Sequence, residues 1–289
     1  PACSPAVILS RSAKPVAIAA PSRCSHTVLR PAAPSCSSLP GELASCAQCS
    51  TSSGVESPIT TFAPSNTGRP SADSGVDTTG FFDEVAVCIG SNLAVLKEVV
   101  ERIRWAQQKE YASATIHLDK KVPADAQAIS AFCQQLYDFS FIAKCFHNRP
   151  EKNIRLILQT APAVRDFFDG EWLEWYALMS CLEYAKERNK RFSCARNLNI
   201  TLQNGEGHEL DVFMLIDGKQ PICIECKTGE FRQNIDKYLS LRKRLGIPGR
   251  SFVMCITGLS DEHAKGLTAM YELAFVNERE LGAHLSHLF

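Results

Sequence analysis

The sequence predicts an α/β or α+β domain over residues 166–289, a sheet covered by helices, with a small, mostly helical region at 81–165 and a disordered leader at 1–80. Three observations lead to this division. After Gly170 the pattern runs helix, three strands, helix, strand, helix. After Phe81 apolar residues recur at three- and four-residue steps. Before that, Ser, Ala, Pro and Thr dominate, a composition with too little apolar surface to offset the entropy of ordering.

The leader has no acidic residue before Glu42, while Arg11, Lys14, Arg23 and Arg30 are spread through its start. That is the pattern of an organelle transit peptide, a plastid (chloroplast) before a mitochondrion, and it lacks the compact apolar stretch of a secretory signal. An ordinary disordered tail is the alternative. Five of the thirteen cysteines fall in the leader and the others sit in apolar runs, so reduced, mostly buried thiols are expected.

In the second region Leu93, Leu96, Val99, Val100 and Ile103 mark one helix, with Lys97, Glu98, Glu101 and Arg102 between them. A second helix is expected from about residue 124 to 141, opening after Pro123 and carrying Ile129, Phe132, Cys133 and Leu136. Residues 154–158 read less clearly as a strand.

The third region is sharper. Residues 171–188 form one helix whose wide apolar face includes Trp172, Leu173, Trp175, Tyr176, Met179 and Leu182. Residues 197–202 read as a strand. Residues 209–216 and 221–227 are two more, joined by Asp217-Gly218-Lys219, a hairpin signal. A helix over 233–245, a strand over 252–257 and a helix from Asp261 complete the domain.

The turn sets the hairpin register. Ile216 faces Gln220, and the pairing continues until Asp211 stands opposite Glu225, with Lys227 on the same face. The reverse face collects Leu210, Val212, Met214, Ile216, Ile222, Ile224 and Cys226. A one-residue slip would put charges into the core, so the register is well specified. Two facing carboxylates repel. Lys227 offsets part of that repulsion, and a divalent cation on oxygen ligands, Mg²⁺ or Mn²⁺, would offset more. Such an ion polarises phosphoryl oxygens and acidifies bound water, while the Lys227 ammonium can orient that water. The chemistry indicated is metal-assisted phosphodiester hydrolysis.

A Glu-bearing helix, a strand with Asp, a short hairpin and Glu-x-Lys on the next strand resemble the PD-(D/E)XK nuclease superfamily, here through Glu174, Asp211 and Glu225-Cys226-Lys227. Three segments, Gly170-Glu171-Trp172-Leu173-Glu174, Glu209-Leu210-Asp211-Val212 and Ile224-Glu225-Cys226-Lys227-Thr228-Gly229, resemble the carboxy-terminal nuclease domain of CRISPR-ancillary nucleases that carry a CARF sensor. The resemblance covers roughly residues 165–280, with a fainter trace back to about 125. It implies a restriction-endonuclease-like mixed central sheet, with Asp211, Glu225, Glu174 and the Cys226 backbone carbonyl around the metal and Lys227 catalytic. DNA or RNA is the implied substrate. Since many nucleases of the superfamily work as dimers, a homodimer is also raised. Leu210 departs from the superfamily's Pro. Residues 81–165 are too short for a CARF sensor, so activation by a cyclic oligonucleotide is not implied.

Glu171, one turn before Glu174, reads as an acidic residue of a helix's first turn. Arg232, Lys237, Arg242, Lys243 and Arg244 are candidate phosphate contacts or, equally, a solvated helix face. His208 reads as incidental, His284 and His287 as surface residues. Cys223 and Cys226 are three apart on a strand and point to opposite faces, so they cannot grip one zinc ion. Cys46 and Cys49 have no partner pair nearby.

With 31 basic and 31 acidic residues the chain is neutral, so any attraction to nucleic acid must come from a local patch. The profile excludes collagen-like, coiled-coil and strongly basic architectures. No stretch of 18 apolar residues occurs, so a membrane span is not expected and a soluble protein is. The rival to an enzyme is a catalytically silent nucleic-acid- or protein-binding module on the same fold.

Overall fold

The structure is a computed structural model that describes residues 81–202 and 205–289. The leader, its expected disorder and targeting role, and the Cys46/Cys49 pair lie outside the described residues.

The chain opens with helices α1 (Phe82–Ser91) and α2 (Leu93–Gln108), strand β1 (Ser113–His117), helix α3 (Pro123–Asp138), and strands β2 (Ile142–Asn148) and β3 (Asn153–Leu158). The short helix α4 (Pro162–Asp166) is separated from α5 (Trp172–Glu187) by the segment Phe167–Glu171, where the chain kinks at Gly170. Then come β4 (Phe192–Thr201), β5 (Gly207–Ile216), β6 (Gln220–Lys227), α6 (Ile235–Leu245), β7 (Phe252–Ile256), α7 (Asp261–Met270), β8 (Ala274–Val276) and α8 (Leu281–Ser286).

Two sheets result. The first has the order β1-β3-β2 and is antiparallel throughout. The second has the order β4-β5-β6-β7-β8, antiparallel up to β6 and parallel beyond it. This is the expected mixed sheet flanked by helices. The expected helices of residues 81–165 are present, but β1 and β2 add a small sheet of which the sequence indicated only β3. The helix expected to reach residue 141 stops at Asp138, and Ser140 turns the chain with a positive φ of 62°.

Two apolar clusters hold the layers. In one, α1, α2 and α3, the inner face of the first sheet and α5 share a continuous core with Val212, Met214, Ile216, Ile222 and Ile224. In the other, α6 supplies Ile235, Tyr238, Leu241 and Leu245 against Phe213, Cys223, Phe252 and Met254 on the opposite face. The second sheet is thus buried on both sides. Residues 81–165 and 166–289 share the first core, and α1 lies so close to α5 that a Cβ at Gly90 would come within 2.3 Å of the Tyr176 ring.

Leu210 does not share the reverse face with Val212, contrary to the register expected from the sequence. Leu210 packs in the second cluster with Phe213 and Cys223, not behind Val212. The alternation breaks at Asp211. Across from it on β4, Asn197 has a positive φ of 53° and drops out of the ladder between the Arg196–Val212 and Leu198–Leu210 pairs. Asn tolerates that conformation better than most residues. The local kink turns the strand between Leu210 and Val212.

Candidate active site

The β5–β6 hairpin builds the site. Asp217 and Gly218 both have positive φ, 50° and 70°, and the Lys219 amide donates to the Ile216 carbonyl at 3.0 Å, a turn whose twist matches antiparallel strands. Pairing runs from Ile216–Gln220 to Val212–Ile224. One step further, the ladder gives way to side-chain chemistry. Asp211 Oδ2 accepts the Cys226 amide at 2.7 Å and the Lys227 ammonium at 3.0 Å, and Lys227 Nζ lies 3.7 Å from Glu225 Oε2. The carboxylate therefore replaces a main-chain acceptor and recruits the cation that offsets its own repulsion with Glu225.

Electrostatics set these groups apart from ordinary surface charges. Glu225 is 2% exposed, and burial followed by the Asp211 charge holds its pKa well above the usual carboxylate range. Its Oε1 is buried without a hydrogen-bond partner. For Lys227, burial opposes the charge, but Asp211 and Glu225 outweigh it and raise the pKa. Glu174, on the first turn of α5, faces the same cluster. Burial, then Asp211, push its pKa up to about 7 against the opposing pull of Arg196.

Arg196 and Tyr238 were not singled out from the sequence. Arg196 Nη1 donates to Glu174 at 2.8 Å and to Glu171 at 3.4 Å, and its guanidinium lies 4.5 Å from the Trp175 ring centre. Glu171 thus joins this network as a second acceptor. Tyr238 brings its ring to 5.7 Å from Lys227 Nζ. The Ile235-Tyr238-Leu241-Leu245 spacing could have flagged it, because a Tyr on an apolar stripe carries a hydroxyl that needs a partner.

The basic residues of the α6 region do not converge. Arg232 pairs with Glu230, Arg242 with Glu272 and Arg244 with Glu206. Lys237 acts on Glu225 electrostatically, and Lys243 is exposed. His208 Nε2 lies 3.1 Å from Glu206 Oε1, out of alignment for a hydrogen bond. His284 is half-buried with its Nε2 2.8 Å from the Arg250 carbonyl oxygen, and His287 is exposed. Cys223 and Cys226 lie in different clusters on opposite faces, and both thiols are free.

Among the described residues no three His, Cys, Asp or Glu side chains converge into a formed metal cage. The donor set nevertheless fits a hard cation. An unsatisfied buried carboxylate oxygen on Glu225 stands beside Asp211, and oxygen ligands of this kind suit Mg²⁺ or Mn²⁺. Among the described residues no helix is long and apolar enough to cross a membrane.

No protein-family model matches the chain, and no curated protein matches it. Among solved structures, the chain is similar to protein VC1899 from Vibrio cholerae, at 17% identity and a TM-score of 0.50, covering 72% of this chain and 55% of that one. It is also similar to Can2 from Sulfobacillus thermosulfidooxidans, solved with cyclic tetra-adenylate, at 17% identity and a TM-score of 0.49, covering 72% of this chain and 56% of that one. The chain therefore spans little more than half the length of either. The likeness to VC1899 shows a shared fold.

Proposed function

We propose that the protein is a divalent-metal-dependent nuclease that hydrolyses phosphodiester bonds of DNA or RNA. One observation carries the reading: Glu225 keeps a buried, unpartnered carboxylate oxygen beside Asp211 and Lys227. A buried carboxylate oxygen without a hydrogen-bond partner is costly, and such groups concentrate at functional sites. The PD-(D/E)XK-like motif assigns the same residues. Asp211, Glu225 and the Cys226 carbonyl would hold Mg²⁺ or Mn²⁺, with Glu174 as a further carboxylate. When bound, the ion would polarise a phosphoryl oxygen and acidify a water.

The chain's own groups do the rest. Asp211 fixes the Lys227 ammonium at 3.0 Å and draws the β6 backbone toward itself through the Cys226 amide. Lys227, charged across the physiological range, orients the attacking water or stabilises the charge developing on the phosphoryl group. The Tyr238 ring lies 5.7 Å from the ammonium, an attraction that helps hold the charge in place.

A second reading, a silent binding module on the same fold, draws on the Arg196–Glu174 contact, which ties up the third carboxylate. The test uses the full chain with Mn²⁺ or Mg²⁺ on labelled single-stranded and duplex DNA and RNA. Cleavage that stops in EDTA and in Lys227→Ala is expected. Folded protein that binds but never cuts supports the silent module instead.

A further inference from the structure

Positive charge without acidic partners gathers on the small first sheet. Residues 142–158 carry Lys144, Arg149, Lys152 and Arg155 against the single acid Glu151, in a chain that is neutral overall. All four cations are exposed, and among the described residues none forms an ion pair. Glu151 is itself engaged by Asn153. In the α6 region, by contrast, Arg232, Arg242 and Arg244 each have a carboxylate.

The sheet register shows how these charges are displayed. Ile116, Ile154 and Leu156 point into the core. The outer face is built in rows: Ser113, Ile157 and Lys144, then Thr115, Arg155 and Phe146, then His117, Asn153 and Asn148. Phe146 is 52% exposed in the row with Arg155, an aromatic ring presented to solvent on an edge strand. An open groove of about 890 Å³ lies over this face, bounded by Thr115, Phe146, Arg149 and Arg155.

The geometry points to a binding platform for single-stranded nucleic acid on the outer face of β1-β3-β2, with Phe146 stacking on a base and Lys144, Arg149 and Arg155 meeting phosphates. The chemistry follows from what such a strand offers. An aromatic face accepts any base by stacking, and a surrounding cationic surface tracks the backbone. A duplex keeps its bases stacked on each other, so a flat face with one ring finds a stacking partner only on an unpaired strand. Hydrogen-bonding groups on Asn148 and Asn153 flank the ring within the same face. The platform goes beyond the nuclease reading, because binding there needs neither the metal nor cleavage.

The experiment measures binding of fluorescein-labelled 20-nucleotide oligo(U) and oligo(dT) to the full chain in EDTA, where the strand stays intact, across a salt series. Phe146→Ala should weaken binding of at least one oligonucleotide about five- to tenfold with an unchanged salt slope, the signature of lost stacking. Lys144→Ala with Arg155→Ala should weaken it and lower the slope by about 1.4, since each lost phosphate contact removes ~0.7 on a single strand. A duplex of equal length should bind more weakly than the single strand and be indifferent to Phe146→Ala. Unchanged affinity in Phe146→Ala, or equal affinity for the duplex, overturns the proposal. Asp211→Asn separates the two readings: it should bind as the unmodified chain does, so loss of cleavage there leaves the platform standing.

Discussion

Lys227 Nζ lies 3.0 Å from Asp211 Oδ2, and the same oxygen accepts the Cys226 amide at 2.7 Å, so one carboxylate oxygen fixes both the ammonium and the strand that carries it. Asp211→Asn keeps the side chain's shape but loses the charge that favours the ammonium. Lys227→Ala removes the cation that lies within 4 Å of both Asp211 and Glu225. Both variants should lose cleavage by ~10²-fold or more. Lys227→Ala should also lower stability by about 1–2 kcal/mol at pH 8, a figure reduced for its partial exposure. Gel cleavage assays and urea unfolding check the two effects, and a Lys227→Ala variant that cleaves normally would remove Lys227 from the chemistry.

Glu225 and Glu174 should make the protein's stability depend on pH. Both have folded pKa values raised above the usual 4.5, Glu174 to about 7, so both favour the protonated form in the folded state. Their contribution is therefore fully present below about pH 4.5 and is lost as pH rises through the raised values. Glu225→Gln should stabilise the metal-free protein at pH 8, by on the order of 1–2 kcal/mol, and change little at pH 4.5. Thermal melts at the two pH values test it. An equal effect at both would show that Glu225 is ionised as readily in the folded state as in the unfolded one.

The same logic gives a metal prediction. A divalent cation at Asp211 and Glu225 favours the ionised carboxylates, so Mn²⁺ should raise the melting temperature at pH 8 and much less at pH 5. In Glu225→Gln that increment should largely vanish. EDTA should reverse it in the unmodified chain. A Mn²⁺ shift that survives Glu225→Gln would place the ion elsewhere.

Arg196 should act on Glu174 rather than on substrate. Its 2.8 Å hydrogen bond opposes the burial that raises the Glu174 pKa, so Arg196→Gln should raise that pKa further. If Glu174 must be ionised for cleavage, the acidic limb of the pH–rate profile should move to higher pH, with kcat falling more than KM changes. Arg196→Lys should restore part of the shift, although it loses the planar contact with Trp175. A uniform loss of activity at every pH would instead indicate a purely structural role.

The hairpin was legible because its signals agree: a Gly-containing turn, two apolar runs of matching length and charges confined to one face. Arg196 was not, because β4 begins at Phe192, five residues before the strand expected from sequence. Ser193, Arg196 and Asn197 interrupt its apolar pattern, and its register to Asp211 depends on a positive φ at Asn197 that no periodicity announces. Strand β2 was hidden for a related reason. It lies at the sheet edge with Phe146 turned outward, so its hydrophobic residues do not alternate with its burial. Strand β1 does alternate, with Ala114 and Ile116 inward, but five residues between two long helices give a weak signal. The convergence of Glu174 on the cluster depends on how α5 docks across the sheet, a tertiary relation that helical spacing alone leaves open.

That docking supplies the last prediction. A Cβ at Gly90 would lie 2.3–2.6 Å from three atoms of the Tyr176 ring, far inside van der Waals contact, so α1 can approach α5 this closely only with glycine there. Ala is the better helix former at an α1 position by about 1 kcal/mol, so propensity alone predicts that Gly90→Ala stabilises. The steric term opposes it and should win. The ring is held by its hydroxyl, which donates to the Glu278 carbonyl oxygen at 3.1 Å, and cannot swing away without losing that bond. Overpacking of this kind costs about 1–3 kcal/mol, so Gly90→Ala should be destabilising overall by urea unfolding. In Tyr176→Ala, where the ring is absent, Gly90→Ala should become neutral or stabilising, and the non-additivity of the double mutant measures the contact directly. Because α5 also carries Glu174, Gly90→Ala should lower cleavage even in fully folded protein. Additive effects in the double mutant would mean that α1 and α5 do not meet at this point.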